Sequence, residues 1–130
     1  CSYLAIEYKT SSINNANIAY EEYLKAQHSL DTAKLEEMAP VGRNRIHGDC
    51  CSLYYDTGLF AAMKENGTKN YICGHDHEND FSLVYEGVRL TYAVKTGDEC
   101  SWGGPDMCGY TKLLVDEQGK TTLSQEYLYV

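Results

Sequence analysis

Two strand–turn–strand units in the second half of this 130-residue chain constrain its fold more than any other feature. Residues 82–85 and 89–94 flank Glu86-Gly87-Val88, and residues 111–115 and 121–130 flank Asp116-Glu117-Gln118-Gly119-Lys120. Short β-prone runs separated by glycine-containing turns read as antiparallel hairpins. Before them the spacing is helical. Over residues 15–28, Ile18, Tyr20, Tyr23, Leu24 and Gln27 approximate one face, with Glu21, Glu22 and Lys25 on the wet side. A second short helix is predicted over residues 31–38, capped by Asp31 or Ser29 and ended by Pro40 and Gly42, with loop over residues 41–52. A third spans residues 57–66, burying Leu59, Phe60 and Met63 and stopping at Gly67. The apolar runs Tyr3-Leu4-Ala5-Ile6 and Tyr71-Ile72-Cys73 suit short buried strands, the latter leading into Gly74. Helices first and mostly antiparallel strands afterwards give an α/β chain of the α+β kind. The tyrosine-rich strands (12 Tyr in all) need more cover than these helices offer, so a missing layer is expected upstream of Cys1.

Composition narrows the function classes. The length permits one domain with a real core. At 43% hydrophobic residues, with two prolines, the chain has the makeup of a folded protein. Eleven basic against 19 acidic residues leave a formal charge of −8, which repels phosphate backbones and anionic lipid. No apolar run approaches the roughly 18 residues of a membrane span. Nucleic acid and membrane are therefore not expected partners. Six cysteines (Cys1, Cys50, Cys51, Cys73, Cys100, Cys108) permit 15 complete pairings and contain no C-x-x-C. Cys73 reads as a small buried hydrophobe, and Cys100 with Cys108 as a pair able to close a small loop. Asn66-Gly67-Thr68 is a glycosylation sequon, relevant to a secreted or vesicular protein, and the compartment stays open.

The segment that carries chemistry is Cys73-Gly74-His75-Asp76-His77-Glu78-Asn79-Asp80-Phe81. Extended backbone sends residues i and i+2 to one side, so His75 and His77 can aim at one place. Neutral imidazole is the commonest metal ligand among side chains, and Gly74 lets the chain turn sharply. The plainer reading is a polar turn whose histidines are solvated or bonded to Asp76 and Asp80. Elsewhere, His28 sits at a helix end and His47 in a glycine-rich loop. Trp102, in Trp102-Gly103-Gly104-Pro105-Asp106-Met107, is either a substrate rim or part of a surface loop. Tyr92 and Lys95 read as strand residues alternating between core and solvent.

Gly74-His75-Asp76-His77-Glu78-Asn79-Asp80-Phe81 resembles the last signature of calcineurin-like metallophosphoesterases, in the purple-acid-phosphatase-related branch that carries Gly-His-Asp-His-x-Asn-Asp-Phe. Glu7-Tyr8-Lys9-Thr10, Thr57-Gly58-Leu59-Phe60, Leu90-Thr91-Tyr92 and Lys95-Thr96-Gly97 extend the resemblance over nearly the whole chain. It implies a four-layer α/β/β/α sandwich with two metal ions (Fe, Mn, Zn or Mg) at the strand ends. Such a pair hydrolyses phosphate mono- or diesters through an activated hydroxide. On this resemblance His75 binds one metal and His77 the other. Gly74, Asp76, Asn79 and Asp80, with Glu78, support the loop or the ligands. The family's Asp-x-His, Gly-Asp-x-x-Asp and Gly-Asn-His signatures are absent, and Gly48-Asp49 is a loop without the further aspartate. Ser2 falls near a position where the family has a histidine. Residues 1–130 are therefore expected to be the C-terminal half of such a domain, with the remaining ligands in an N-terminal half and no catalytic residue within this chain. Two other readings stand beside it: a cysteine-stapled extracellular β-rich binding or structural module, and an inactive member of the same family.

Overall fold

A computed structural model of the chain describes residues 11–45, 57–97 and 104–128. Helices α1 (Ser11–Ser29), α2 (Thr32–Met38) and α3 (Leu59–Glu65) precede strands β1 (Asn70–Cys73), β2 (Ser82–Tyr85), β3 (Val88–Tyr92), β4 (Gly109–Val115) and β5 (Thr121–Tyr127). A 3₁₀ turn, Pro105–Met107, lies just before β4. The architecture is mixed α+β, with the helical part first. The expected strand at residues 3–6, the loop over residues 46–52, His47, Cys100 and Trp102 lie outside the described residues.

The helices end where their sequences dictate. Asp31 caps α2, its Oδ1 accepting the Lys34 N–H at 3.0 Å, a contact worth about 1 kcal/mol in typical helices. The α3 helix begins at Leu59 because Gly58, in left-handed conformation, forms its N-cap. It stops at Gly67 (φ +72), where the Gly67 and Thr68 N–H groups return to Lys64 O and Met63 O. On α1 the buried stripe is Ala19, Tyr23 and Ala26, spaced for one helix face. This corrects the expected stripe by about one position: Ile18 is 46% exposed, while Tyr20 and Leu24 flank the contact half-buried. Ala19 packs with Leu83 of the sheet, where an isoleucine would hold the α1 backbone further off.

The first sheet has the order β1-β3-β2. β2 and β3 are the expected hairpin, with Leu83 opposite Leu90, and Glu86 (φ 45) and Gly87 (φ 82) form its two-residue turn. β1 pairs in parallel with β3, so the strand set is less uniformly antiparallel than expected. β1 is also a sheet edge rather than a buried strand: Ile72 is 40% exposed and Cys73 half-buried. One face of this sheet holds the core. Val88, Leu90 and Tyr92, alternate residues of β3, pack with Phe60, Met63 and Phe81, while Leu83 packs with Ala19, Tyr23 and Met38. Leu59, expected inside, is half-buried against the first cluster.

The opposite face is polar and internally satisfied. Ser82 and Thr91, both buried, share a hydrogen bond of 2.9 Å between their hydroxyls, and Arg89 donates to Ser82 Oγ and to Ala39 O. Burial lowers the Arg89 pKa from its usual guanidinium value. Residues 41–45 run along β2, the Val41 N–H donating to Ser82 O and the Ser82 N–H to Asn44 Oδ1.

β4 and β5 form the second expected hairpin, closed by Asp116 Oδ1 accepting the Gln118 and Lys120 N–H groups. It is joined to the first sheet by Gly109 N–H to Lys95 O (2.7 Å), Gln125 Nε2 to Tyr92 O (2.9 Å) and Asn70 Nδ2 to Thr121 Oγ1 (2.9 Å). Lys95 is buried at this junction. Cys108 is a free thiol, fully buried and donating to Gly97 O. The small loop that Cys100 and Cys108 are able to close is therefore not closed by a disulfide at Cys108. No helix among the described residues is long and apolar enough to cross a membrane.

Candidate functional site

The histidine segment is the connection from β1 to β2, so one edge strand of the sheet delivers it and the other edge strand, the first of the β2–β3 hairpin, receives it. The sharp turn expected at Gly74 is made one residue later. His75 has φ 114, outside the usual left-handed well near +60°, whereas Gly74 has ordinary negative or extended φ and open space around it. Such backbone costs on the order of 1–3 kcal/mol and persists only where its surroundings over-determine it.

Its anchor is the residue between the histidines. Asp76 is half-buried, its N–H donating to the Tyr92 hydroxyl (3.1 Å) while that hydroxyl donates to Asp76 Oδ2 (2.8 Å). Tyr92 is 2% exposed, and burial drives its phenol pKa far above the usual tyrosine value. A neutral phenol fixed in the core thus grips one residue of the loop by both backbone and side chain. His75 and His77, on either side, are exposed, and neither imidazole is hydrogen-bonded to a described residue. The Asn79 N–H then closes a turn onto Asp76 O (3.1 Å), and Asn79 itself is buried. Glu78 is half-buried.

Asp80 does not support a histidine. It is fully buried and accepts from the Arg45 N–H (2.6 Å), Nε (2.9 Å) and Nη2 (2.7 Å) and from the Tyr127 hydroxyl (2.9 Å). Arg45 also reaches Asp106 Oδ2 at 2.8 Å, and the Arg43 guanidinium lies 4.2 Å from the centre of the Tyr127 ring. Burial works against the Arg45 charge, but Asp80 and Asp106 outweigh it and raise its pKa. Burial also raises the Tyr127 phenol. Of the two roles the sequence leaves open for Asp80, its contacts are those of loop support: it joins the end of the histidine loop, residues 43–45, the 3₁₀ turn and the end of β5.

Two imidazoles with free lone pairs are a chemically apt part of a metal donor set. Among the described residues no group of three His, Cys, Asp or Glu converges to complete one. His28 lies exposed in the last turn of α1, away from the loop in sequence, while His47, Ser2 and Trp102 are outside the described residues. Sequence reasoning missed Tyr92 and Arg45 as partners of this loop. Neither carries a local signal, since their partners lie 16 and 35 residues away.

No family model, curated protein or solved structure matches this chain.

Proposed function

We propose that this chain is the C-terminal half of a calcineurin-like metallophosphoesterase domain, hydrolysing phosphate mono- or diesters. The observation that carries the reading is the β1–β2 connection, in which two exposed, unbonded imidazoles flank an aspartate held in place by the core. His75 and His77 would each donate one nitrogen to one of two metal ions. The other donors would come from an N-terminal half of the same domain, and the helices and two sheets described above would supply layers of its α/β/β/α sandwich. When bound, such a metal pair supplies Lewis acidity and a nucleophile at neutral pH. What these residues do is narrower: Tyr92 and Asp76 hold the loop, and Asp80 with Arg45 fixes where it rejoins the sheet. The free thiol at Cys108 counts against the Cys100–Cys108 bridge that the cysteine-stapled module predicts.

The test uses the complete polypeptide that carries this domain. It should turn over p-nitrophenyl phosphate or its bis-ester with added Mn²⁺, and His75→Ala and His77→Ala should each lose activity by more than the roughly 10–100-fold typical of outer-sphere partners. Absence of turnover, or variants as active as the parent, would overturn the reading. Turnover by the parent would also remove the inactive-member alternative.

A further inference from the structure

We propose that Tyr92 is the positioning residue of the histidine loop, holding Asp76 inward so that the imidazoles on either side stay turned to solvent together. The inference rests on the metal-loop reading above but has its own evidence. Tyr92 ends the central strand of the sheet, and its ring packs against Phe81 with centroids 5.7 Å apart. Phe81 follows Asp80 directly, so the ring that grips the loop's start also touches the residue after its end. The hydroxyl is used twice on one residue, accepting from Asp76 N–H and donating to Asp76 Oδ2. A purely apolar core position would need only a phenylalanine. Tyrosine here places a hydrogen-bonding group from the central strand under the one loop residue that lies between the two histidines. The strained backbone at His75 is what this grip produces: with Asp76 fixed inward and Gly74 leaving β1, the intervening residue must absorb the turn at φ 114.

The experiment compares Tyr92→Phe, Asp76→Ala and the double variant with the parent in the complete polypeptide, using Zn²⁺ as the probe. Two quantities are read: Zn²⁺ affinity, by calorimetric titration, and the heteronuclear ¹⁵N NOE of the His75–His77 amides without metal. Tyr92→Phe should weaken Zn²⁺ binding about 10–100-fold and lower the NOE of those amides, while circular dichroism stays native. The double variant should bind no more weakly than Asp76→Ala alone, because both act through one contact. Should Tyr92→Phe not fold, Asp76→Ala must by itself show the same loss and the same mobility. Unchanged affinity and NOE in Tyr92→Phe, with binding abolished by His75→Ala, would overturn the positioning role and leave the metal reading intact. Zn²⁺ binding indifferent to both histidines would overturn the metal reading, and the amide NOE would still decide whether Tyr92 holds the loop.

Discussion

Asp80 accepts three hydrogen bonds from Arg45, one from the backbone N–H and two from the guanidinium, and the Asp80 N–H returns one to Arg45 O at 3.0 Å. A single residue pair thereby fastens residues 43–45 to the end of the histidine loop. Because Asp80 is fully buried, the pair cannot be halved cheaply: removing one partner strands the other charge.

Asp80→Asn is accordingly expected to cost about 3 kcal/mol, at the lower end for buried pairs because Arg45 keeps some contact with water. Arg45→Met should cost at least as much, leaving the buried carboxylate unpaired. The double substitution should cost clearly less than the sum, since each single change already breaks the same contact. Urea midpoints at constant m-value measure all three. Additive losses would show that the pair is not coupled.

A second expectation concerns Gly42, which has φ +78 and sits under Gln125. A Cβ there would fall on Gln125 Oε1 and lie 3.0 Å from the Tyr127 hydroxyl. Gly42→Ala should therefore cost the left-handed penalty of roughly 1–2 kcal/mol and a further 1 kcal/mol or more for displacing Gln125. Gly119 has nearly the same φ, +77, with nothing near a Cβ, so Gly119→Ala should cost the backbone penalty alone. Equal losses in the two variants, read by thermal unfolding, would refute the close approach.

What was legible in the sequence was local. The two hairpins, the Asp31 cap and the Gly67 stop each rest on residues within a few positions of one another, and the structure has all of them. The errors arise where packing at a distance decides. The large residues of α1 suggest one stripe, yet Ala19 and Ala26 are the buried positions, and Ala19 packs with Leu83 of the sheet. Tyr71-Ile72-Cys73 is apolar enough for a central strand, and nothing in three residues tells an edge from a centre. The same holds at the site. His75 and His77 are conspicuous by spacing, but the groups that fix their loop, Tyr92 and Arg45, become visible only when β3 and residues 43–45 are brought beside it. The sharp turn that the sequence suggests at Gly74 likewise falls at His75, because only the contact of Asp76 with Tyr92 shows which residue must absorb it.

Tyrosine burial gives a third prediction. Burial raises the Tyr92 and Tyr127 phenols above the usual value of 10.0. Both stay protonated in the folded chain at a pH where the unfolded chain loses their protons. Their stabilising contribution is thus complete below pH ~10 and is lost as pH rises above it, the loss for the strongly shifted Tyr92 steepening toward about 1.4 kcal/mol per pH unit once the unfolded phenol is ionised. Unfolding free energies at pH 9, 10 and 11 should fall by a larger step from 10 to 11 than from 9 to 10, and Tyr92→Phe should shrink both steps even though it lowers stability at pH 7. An unchanged slope would mean that Tyr92 ionises normally in the folded state.

The backbone at His75 supplies the last. The other non-glycine residues with positive φ, namely Leu30, Ala39, Asn44 and Glu86, lie between 40° and 55°, within or beside the left-handed well. His75 alone among the described non-glycine residues sits at 114°, where a Cβ is costly and glycine is not. His75→Ala and His75→Gly remove the same imidazole but differ in that penalty. The glycine variant should be the more stable by about 1 kcal/mol, reversing the order that unfolded-chain entropy alone would impose. If guanidinium unfolding shows alanine equal or better, the loop carries no strain at this residue and has relaxed around it. If glycine is better, a side chain is being kept there at a cost to stability, which a solvated turn would not require and a ligand position would.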